Sequence, residues 1–349
     1  MLARRLIALA VVVVAVTATA AACGGSSSRS GKAEVSTVAV SQAALRAAGV
    51  DPASAVQNQF VKVVHDASPT VVQISTNLGL GSGVVYDNKG DIVTNAHVVE
   101  GAKTFTVTLL NGESHPATLV GSFTPNDLAV VHVTGVTPPA AVFGDSTALA
   151  VGDIVFAIGN PLGLRSSVTQ GIVSSLGRTV GEGNGVALAS VIQTSAAINP
   201  GNSGGALVDL DAEVIGIPTL AALDPTFGST PAAGIGFAIP SNTVKLIADQ
   251  LIKSGKVTES GRAYLGIRVA TLMSGGVLVT SVEPGGPADT AGIKPGDLIA
   301  SLNKTVVANT DDLATDLATL KPGTMVPVKV VRNGKKLTID VRLGELKSG

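Results

Sequence analysis

Three residues of types that together perform acyl-transfer chemistry occur at separated positions of the chain: His97, Asp127 and Ser203. Ser203 lies within Gly201-Asn202-Ser203-Gly204-Gly205, where glycines allow the backbone angles and close backbone approach that a nucleophile turn and its oxyanion hole require. A serine hydroxyl is a weak nucleophile until a neighbouring base takes its proton. The sequence therefore directs attention to a histidine base and to an acid that orients it.

The order of these residues along the chain separates two classes of serine hydrolase. The run around Ser203 also satisfies G-x-S-x-G, the nucleophile elbow of α/β-hydrolases, in which the acid and the histidine follow the serine. The four histidines, His65, His97, His115 and His132, all precede Ser203. That position excludes the α/β-hydrolase order and leaves histidine, aspartate, serine, which is the order of trypsin-like proteases.

The local contexts of His97 and Asp127 suit these roles. His97 follows a strand-like run at Asp91–Thr94, and Asp127 stands just before the apolar run Leu128–Val133. An aspartate entering a core needs a partner, and the imidazole N–H of His97 would be one. We predict that Ser203 attacks, that His97 transfers the proton, and that Asp127 fixes the tautomer. The backbone N–H groups of Gly201 and Ser203 would hold the oxyanion.

The elements that must position these residues are mostly short strands. Strand-like runs separated by Gly, Asn and Asp turns recur from Val71 to Ser175 and again from Ala206 to Ile217, which indicates β-barrels or a sandwich. Helical spacing occurs at Ala55–His65 and at Ser241–Ser254, with Ser241 as a predicted N-cap and Gly255 as a C-cap. A second unit follows, with five predicted strands and a helix at Thr310–Leu320, which suits a small α+β module.

Length and composition agree with two folded units that bind no nucleic acid. A chain of 349 residues exceeds the size at which one core usually keeps growing. The formal net charge is −1, so the chain lacks the excess of basic residues that binding to nucleic-acid phosphates needs. We predict no metal, because no His/Cys cluster has ligand spacing, and no cofactor. Gly79-Leu80-Gly81-Ser82-Gly83 resembles a phosphate loop, but no Lys-Ser/Thr follows it, so we assign it to a hairpin turn.

The N-terminus carries an export signal. Arg4 and Arg5 precede an almost wholly apolar run from Leu6 to Ala22, and residues 1–22 are therefore predicted to be a signal peptide. Small residues directly before Cys23, the only cysteine, resemble a bacterial lipobox and predict lipidation of Cys23. The alternatives are a short transmembrane anchor and an incidental cysteine. Residues 23–54 are then predicted to be a flexible linker, rich in Gly and Ser as far as about residue 32.

In segments outside His97, Asp127 and Ser203 as well, the sequence resembles the HtrA/Deg family of serine proteases. The resemblance rests on Ala157-Ile158-Gly159-Asn160-Pro161, Val168–Ser174, Ile192-Gln193-Thr194, Ala196–Pro200 and Gly234–Pro240, and it covers residues 55 to 345. It implies a double six-stranded β-barrel protease domain, which we place at residues 55–255. It also implies ATP-independent proteolysis of unfolded proteins and, often, trimers.

The resemblance to the family also implies a primary specificity pocket, and this sequence departs from the family pattern at two positions. In the family, the segment before the nucleophile lines the primary pocket, so Ala197 and Ile198 would form a neutral wall that favours small aliphatic side chains. The family commonly has Asp at the position of Ser195 and Asn at that of Pro218. Pro218 lies on the strand expected to pair with substrate, where proline removes one main-chain donor.

Residues 262–346 resemble a PDZ domain. Tyr264-Leu265-Gly266-Ile267 is similar to the loop that binds a peptide carboxylate, and Ala291-Gly292-Ile293-Lys294-Pro295-Gly296-Asp297 is similar to the core signature. This implies that Leu265, Gly266 and Ile267 offer backbone N–H groups to a peptide C-terminus while the sheet edge accepts the peptide as an extra strand. The fold class is therefore mainly β, a trypsin-like double barrel followed by a PDZ domain.

These observations predict an ATP-independent serine endopeptidase, anchored by lipid on the extracytoplasmic face of a bacterial membrane. Its partners would be unfolded proteins, C-terminal peptides at the PDZ domain and further copies of the chain in a homotrimer. Two alternatives stay open at this point. One is a PDZ-dependent chaperone or sensor with a latent protease, and the other is a signalling protease that cuts a single membrane partner.

Overall fold

A computed structural model describes residues 52–160, 167–183, 186–199, 201–224, 230–272 and 275–348. The predicted signal peptide, Cys23 and the linker up to residue 51 lie outside the described residues. Within the described ranges, no helix has both the length and the apolar character needed to cross a membrane.

The described chain begins with the amphipathic helix α1 (Pro52–Ala67), which confirms the helix predicted at Ala55–His65. Val63 and Ala67 are buried, and the ring of Phe60 meets that of Phe156 edge-on, with centroids 5.0 Å apart. A short 3-10 helix at Ser68–Thr70, with Pro69 inside it, ends α1 and directs the chain into the first strand.

The first barrel is closed by six strands in the order β1-β2-β3-β6-β5-β4. Its strands are β1 (Val71–Thr76), β2 (Leu80–Val85), β3 (Asp91–Thr94), β4 (Phe105–Thr108), β5 (Ser114–Phe123) and β6 (Leu128–Val133). A four-residue helix, α2 (Ala96–Val99), follows β3, and a 3-10 helix at Thr124–Asn126 joins β5 to β6. The interior is filled by β-branched side chains such as Val72, Ile74 and Ile92, which pack well on pleated strands.

The second barrel also closes with six strands, in the order β10-β11-β12-β9-β8-β7. They are β7 (Ile154–Gly159), β8 (Ser167–Gly183), β9 (Val186–Thr194), β10 (Ala206–Val208), β11 (Val214–Asp224) and β12 (Thr230–Pro240). The mainly β, double-barrel fold class is therefore confirmed.

Helix α3 (Ser241–Ser254) packs against strands of both barrels, β5 and β6 on one side and β11 and β12 on the other. Val244, Ile247 and Leu251 are fully buried, and each buried aliphatic side chain contributes roughly 1.5–3 kcal/mol. The predicted C-cap is confirmed, because Gly255 has φ 68° and its N–H donates to Leu251 O at 2.7 Å. The predicted N-cap is wrong: Pro240 occupies that position, and Ser241 Oγ instead donates to Gly144 O at 2.9 Å.

The C-terminal unit has its own core and a five-stranded main path, β14-β15-β16-β18-β19, with β17 paired to β16. Its elements are β13 (Ala263–Tyr264), β14 (Ile267–Thr271), β15 (Val277–Val282), α4 (Pro287–Ala291), β16 (Leu298–Leu302), β17 (Thr305–Val306), α5 (Thr310–Ala318), β18 (Met325–Arg332), β19 (Lys335–Arg342) and β20 (Gly344–Glu345). Asp297, which is fully buried, binds Arg332 through Nε at 2.6 Å and Nη2 at 2.7 Å. This guanidinium holds the pKa of the Asp297 carboxyl below its usual range.

Residues 344–348 return to the linker that enters the C-terminal unit, and we call this paired segment the return ribbon. β20 pairs with β13, Leu346 N–H donates to Arg262 O at 2.9 Å, and Ser348 N–H donates to Val257 O at 2.8 Å. Val257 is buried in the core shared by the barrels, and Leu346 packs against that same core. The C-terminal unit is therefore joined to the barrels at both its first and its last strand.

Candidate active site

His97 and Asp127 are brought together by the first barrel. His97 lies in α2, directly after β3, and its Nδ1 is 3.0 Å from Asp127 Oδ1 and 2.9 Å from Oδ2. The His97 side chain is 46% exposed and that of Asp127 only 4%. A carboxylate accepts hydrogen bonds only, so Nδ1 carries the hydrogen in the neutral ring. Nε2 is therefore the nitrogen left to accept a proton.

The Asp127 carboxylate accepts hydrogen bonds from groups besides the His97 ring. The backbone N–H of His97 donates to its Oδ1 at 3.0 Å, and the Thr219 hydroxyl donates to its Oδ2. The backbone of Asp127 is left-handed, with φ 48°, at the end of the 3-10 helix Thr124–Asn126. Aspartate tolerates this conformation better than most residues. Asn95 Nδ2 binds the Asp127 carbonyl at 3.0 Å, so side chain and main chain are both fixed.

Ser203 lies in a tight turn between β9 and β10. Gly204 has φ 79°, and a Cβ built on it would lie 2.3 Å from Ser82 O; a Cβ on Gly205 would lie 2.3 Å from Ile158 O. Only glycine fits at such positions. The Ser203 hydroxyl is 3.4 Å from the carbonyl oxygen of Thr219.

The backbone just before Ser203 forms a four-residue turn from Asn199 to Asn202. The N–H of Asn202 donates to Asn199 O at 3.1 Å, and Gly201, the third residue, has φ 110°. A positive φ of this size favours glycine, which has no Cβ to clash with the backbone.

Ser82, in β2 of the first barrel, joins this turn to the opposite barrel. Its backbone N–H donates to Ser203 O at 3.0 Å, and its hydroxyl donates to Gly201 O at 2.5 Å. The hydroxyl also accepts from the N–H of Asn160 at 2.9 Å. The run Gly79-Leu80-Gly81-Ser82-Gly83 was predicted to be a hairpin turn. Gly79 does lie in the β1–β2 turn, but Leu80 to Gly83 lie inside β2, so the prediction was wrong for Ser82.

The C-terminal unit carries a groove between β14 and α5. The groove has a volume of about 180 Å³, and its apolar lining includes Leu265, Ile267, Val269, Leu313 and Leu317. Gly266 precedes β14 with φ 74°, and its carbonyl accepts from Glu283 N–H at 2.9 Å. The three residues of the predicted carboxylate loop thus belong to the lining of this apolar groove.

Comparison with known proteins agrees with both units. A trypsin-like peptidase domain matches residues 81–217, and a PDZ domain matches residues 263–343. Serine protease Do-like HtrB of Bacillus subtilis is 40% identical over 332 residues, covering 82% of this chain and 71% of that protein. Serine endoprotease DegS of Escherichia coli is 39% identical, covering 84% and 83%. The chain belongs to the HtrA-type family of serine proteases.

Longer relatives and solved structures extend this result. The chain spans 59% of the length of the E. coli periplasmic endoprotease DegQ, to which it is 42% identical. A structure of the HtrA-type protease AlgW with a decapeptide matches with a TM-score of 0.57 and 32% identity, covering 82% of this chain and 98% of that one. The serine endoprotease from Yersinia pestis matches with a TM-score of 0.55, 37% identity, and coverage of 83% and 97%. This HtrA-type chain is thus a serine-type endopeptidase.

The predicted specificity segment of this HtrA-type protease is apolar. Ile198 is 6% exposed, and a Cβ built on Gly236 of β12 would lie 2.3 Å from its Cγ1. The carbonyl of Ala197 accepts from Thr169 Oγ1 at 2.9 Å and from Asn202 Nδ2 at 3.0 Å. Ile198 therefore fills the space that the absent side chain of Gly236 leaves.

The two departures from the family pattern have defined surroundings. Ser195 Oγ accepts from Ile172 N–H at 3.0 Å. Pro218 pairs with Ala238 of β12, and its carbonyl accepts from Gly204 N–H at 3.0 Å. A residue's N and O point to the same side of a strand. The Pro218 nitrogen, which carries no hydrogen, therefore points toward the nucleophile turn, as its carbonyl does. Pro218 directly precedes Thr219.

Ser82 and Thr219 each contact a predicted catalytic residue, although no motif in the sequence marks either of them as part of the site. Thr219 lies one residue after Pro218 in β11, so only the fold places it beside Asp127 of the other barrel.

Among the other histidines, His132 Nδ1 is 2.8 Å from Asp91 Oδ1 on the neighbouring strand. Within the residues that the structure describes, no group of His, Cys, Asp or Glu is arranged to hold a metal ion.

Proposed function

We propose that this chain degrades unfolded or misfolded proteins outside the cytoplasm, as an ATP-independent endopeptidase with His97, Asp127 and Ser203 as its catalytic residues. The observation that carries the proposal is the convergence of two barrels on one site. His97 and Asp127 come from the first barrel and are bonded at 2.9 Å, and Ser82 of that barrel fixes the Ser203 turn of the second. Relatives named periplasmic endoproteases support the compartment.

The steps follow from the chemistry of these groups. Ser203 Oγ attacks the scissile carbonyl carbon while His97 Nε2 takes its proton, and Asp127 stabilises the resulting imidazolium. The Gly201 and Ser203 N–H groups bind the oxyanion, each contributing about 2.7–4 kcal/mol to transition-state stability. His97 then protonates the departing amine, and a water molecule, activated by the same ring, releases the acyl group from Ser203. No step uses ATP, because peptide hydrolysis itself is favourable.

Specificity follows from the apolar segment that precedes the nucleophile turn. Ala197 and Ile198 offer no charge to a substrate side chain, and buried Ile198 shortens the pocket beside Gly236. A neutral, shallow pocket favours small aliphatic residues before the cleaved bond and disfavours Lys and Arg, whose charge would lose its hydration without a partner. We expect Val, Ala and Ile at that position in cleavage products.

The PDZ groove is the proposed site for a peptide C-terminus. Backbone N–H groups at Leu265, Gly266 and Ile267 would hold the carboxylate, and β14 would pair with the peptide as an added strand. Tyr264, at the start of this loop, donates to Glu283 Oε2 at 2.5 Å. Burial and this bond raise the pKa of Tyr264 to about 12, so its hydroxyl stays a neutral donor.

Lipidation of Cys23 is the proposed means of attachment to the membrane. A lipid on this residue would leave the Gly and Ser rich segment as a tether between the surface and α1. Replacing Cys23 with Ala should abolish labelling by a lipid analogue and move the protein from the membrane fraction to the medium. Unchanged labelling and fractionation would contradict the lipid anchor.

The deciding experiment is cleavage of a permanently unfolded protein by purified residues 33–349, with and without an apolar C-terminal peptide, beside Ser203→Ala. We expect cleavage that the variant lowers by about 10⁴-fold or more, and a higher rate when the peptide is added. Protection of the unfolded protein from aggregation without cleavage in any condition would favour the chaperone or sensor instead. Cleavage confined to one membrane protein would favour a signalling protease. Light scattering on the same sample tests the trimer.

A further inference from the structure

Two leucines stand exposed close to the catalytic histidine and have no role in the proposed function so far. Leu78 is 66% exposed and Leu80 is 51% exposed, and both belong to the β1–β2 hairpin. A single exposed leucine needs no explanation, but a rigidly held pair at the mouth of an active site does.

The turn of the hairpin that carries these leucines is held by hydrogen bonds. Asn77 Oδ1 accepts from Lys103 N–H at 2.8 Å, and Thr76 Oγ1 accepts from the N–H groups of Leu78 at 3.1 Å and Gly79 at 3.0 Å. A Cβ built on Gly101, two residues beyond α2, would lie 3.6 Å from Leu78 Cδ1. The leucines are therefore presented in fixed positions, which lowers the entropy lost when a ligand binds.

A substrate bound at Ser203 extends to two sides, or flanks, of this residue, and Leu80 lies on one of them. On the first flank, the Thr219 carbonyl of β11 is 3.4 Å from Ser203 Oγ, and β11 is the strand expected to pair with the acyl side of a substrate. On the second flank, Ser82 N–H of β2 donates to Ser203 O at 3.0 Å. A substrate that enters along β11 and crosses Ser203 must leave along β2. The second flank thus receives the residues that follow the cleaved bond.

Leu80 faces this second flank. The register between β1 and β2 is regular, with Gln73 opposite Ser82 and Ser75 opposite Leu80. Leu80 and Ser82 therefore project from the same face of β2, and their backbone N–H and C=O groups point to the same edge. Gly81, between them, lies so close to Val98 that a Cβ would be 2.7 Å from both of its methyl groups. This close approach seats β2 on the residue that follows His97.

We propose that Leu80 forms an apolar subsite for one of the first two substrate side chains after the cleaved bond, the one that projects toward the face of β2 that carries Leu80. The inference rests on the proposed proteolytic function and adds a second selection step to it. The occupant is an aliphatic or aromatic side chain on the leaving-group half of an extended peptide. Because this half departs when the acyl-enzyme forms, the subsite assists acylation only.

The test uses two substrates that share the same acyl half, with the PDZ-binding peptide added to every assay. One is an internally quenched peptide with Leu or Ala in the first two positions after the cleaved bond. The other is an anilide that ends at that bond. Leu80→Ser should lower kcat/KM about 10-fold for the Leu peptide and leave the Ala peptide and the anilide within about twofold. Leu78→Ser, which changes an exposed leucine of the same hairpin that lies beside Gly101, should leave all three substrates within about twofold.

Val151→Ser is the matched control, because Val151 is 65% exposed and lies in the segment before β7. It should leave all three substrates unchanged. An equal loss on the anilide and the Leu peptide would show that Leu80 supports the fold or the triad, and an unchanged Leu peptide would show that Leu80 is a spectator. Either result overturns the subsite. Failure of the unmodified enzyme to cut any of the three substrates would contradict the proposed function itself.

Discussion

The first barrel contains two histidine–aspartate pairs that look alike at the level of single contacts. His97 Nδ1 lies 2.9 Å from Asp127 Oδ2, and His132 Nδ1 lies 2.8 Å from Asp91 Oδ1. Both aspartates are buried, and both rings are partly open to solvent. The contact that orients a catalytic imidazole is therefore not sufficient to identify one.

What separates the pairs is the backbone and the groups around them. Asp91 and His132 are direct neighbours across β3 and β6, so their contact follows from strand register. Asp127 has a left-handed backbone at the end of a 3-10 helix and accepts a further bond from Thr219 of the other barrel. The proposed catalytic pair joins α2 to the end of a 3-10 helix and contacts Thr219 across the barrel interface, whereas Asp91 and His132 lie within one sheet.

The largest expected effect comes from Asp127→Asn. The amide keeps the shape of the side chain but favours the wrong tautomer of His97, so kcat should fall about 10⁴-fold. Anilide hydrolysis measures this loss, and the KM should change little. A loss below about 100-fold would contradict the assignment of Asp127 as the orienting acid.

The buried ion pair of Asp297 and Arg332 in the PDZ domain provides the second test, because these two residues stabilise the fold and have no proposed part in catalysis. Asp297 is fully buried, so Arg332→Met leaves an uncompensated charge and should lower the free energy of unfolding of the PDZ domain by about 3 kcal/mol. Hydrogen exchange of β16 and β18 in the full chain reports this change. Anilide hydrolysis should stay the same, and a large loss would mean that the protease depends on PDZ folding.

The same pair predicts a pH dependence with a definite sign. Arg332 holds the pKa of Asp297 below its ordinary value of about 3.9, so the stabilisation is fully present above that value. It is lost as the pH falls through the lowered pKa, because the carboxyl becomes protonated. The protection factors of the β16 amides, taken relative to the intrinsic exchange rate at each pH, should therefore fall in acid, and Arg332→Met should weaken this dependence.

A smaller effect is expected for Thr219→Val, which removes a hydroxyl donor from the buried Asp127 and leaves the other bonds in place. We expect kcat to fall about 10-fold with unchanged KM, and Thr219→Ser to restore it. Thr70→Val is the control, because Thr70 is also buried and hydrogen-bonded, to Ala67 O. Failure of serine to restore the rate would indicate that Thr219 acts through packing.

The smallest effect should follow Asp91→Asn, the counterpart of the first variant. Its pair is partly exposed, so its loss should cost about 1 kcal/mol of stability and change kcat less than threefold. A loss as large as that of Asp127→Asn would abolish the distinction between the pairs. Thermal unfolding and anilide hydrolysis measure the two quantities.

Much of the fold and the identity of the catalytic candidates could be read from sequence, because both depend on local signals. Glycines around Ser203 and the chain order of His97 and Asp127 are visible without a structure. Strands with clear turns, such as Asp91–Thr94 and Leu128–Val133, were predicted at the bounds that the structure has. These features depend on neighbours in the chain.

Features that depend on distant partners were missed. β9 and β12 were not predicted as strands, and each gains its position by pairing with other strands of the second barrel. Ser241 has a cap-forming side chain, but the carbonyl of Gly144 binds it. Ser82 and Thr219 are common residue types in apolar surroundings, and only closure of the two barrels gives them their partners.

The return ribbon ties the PDZ domain to the barrels through two paired segments. Arg262, which lies on one of these segments, donates to Pro125 O, two residues before Asp127, and to Ala187 O at 2.6 Å. Helix α5, which lines the peptide groove, also packs against β8 and β9 of the second barrel. The PDZ domain therefore meets the barrels over a surface that includes one wall of its own peptide groove.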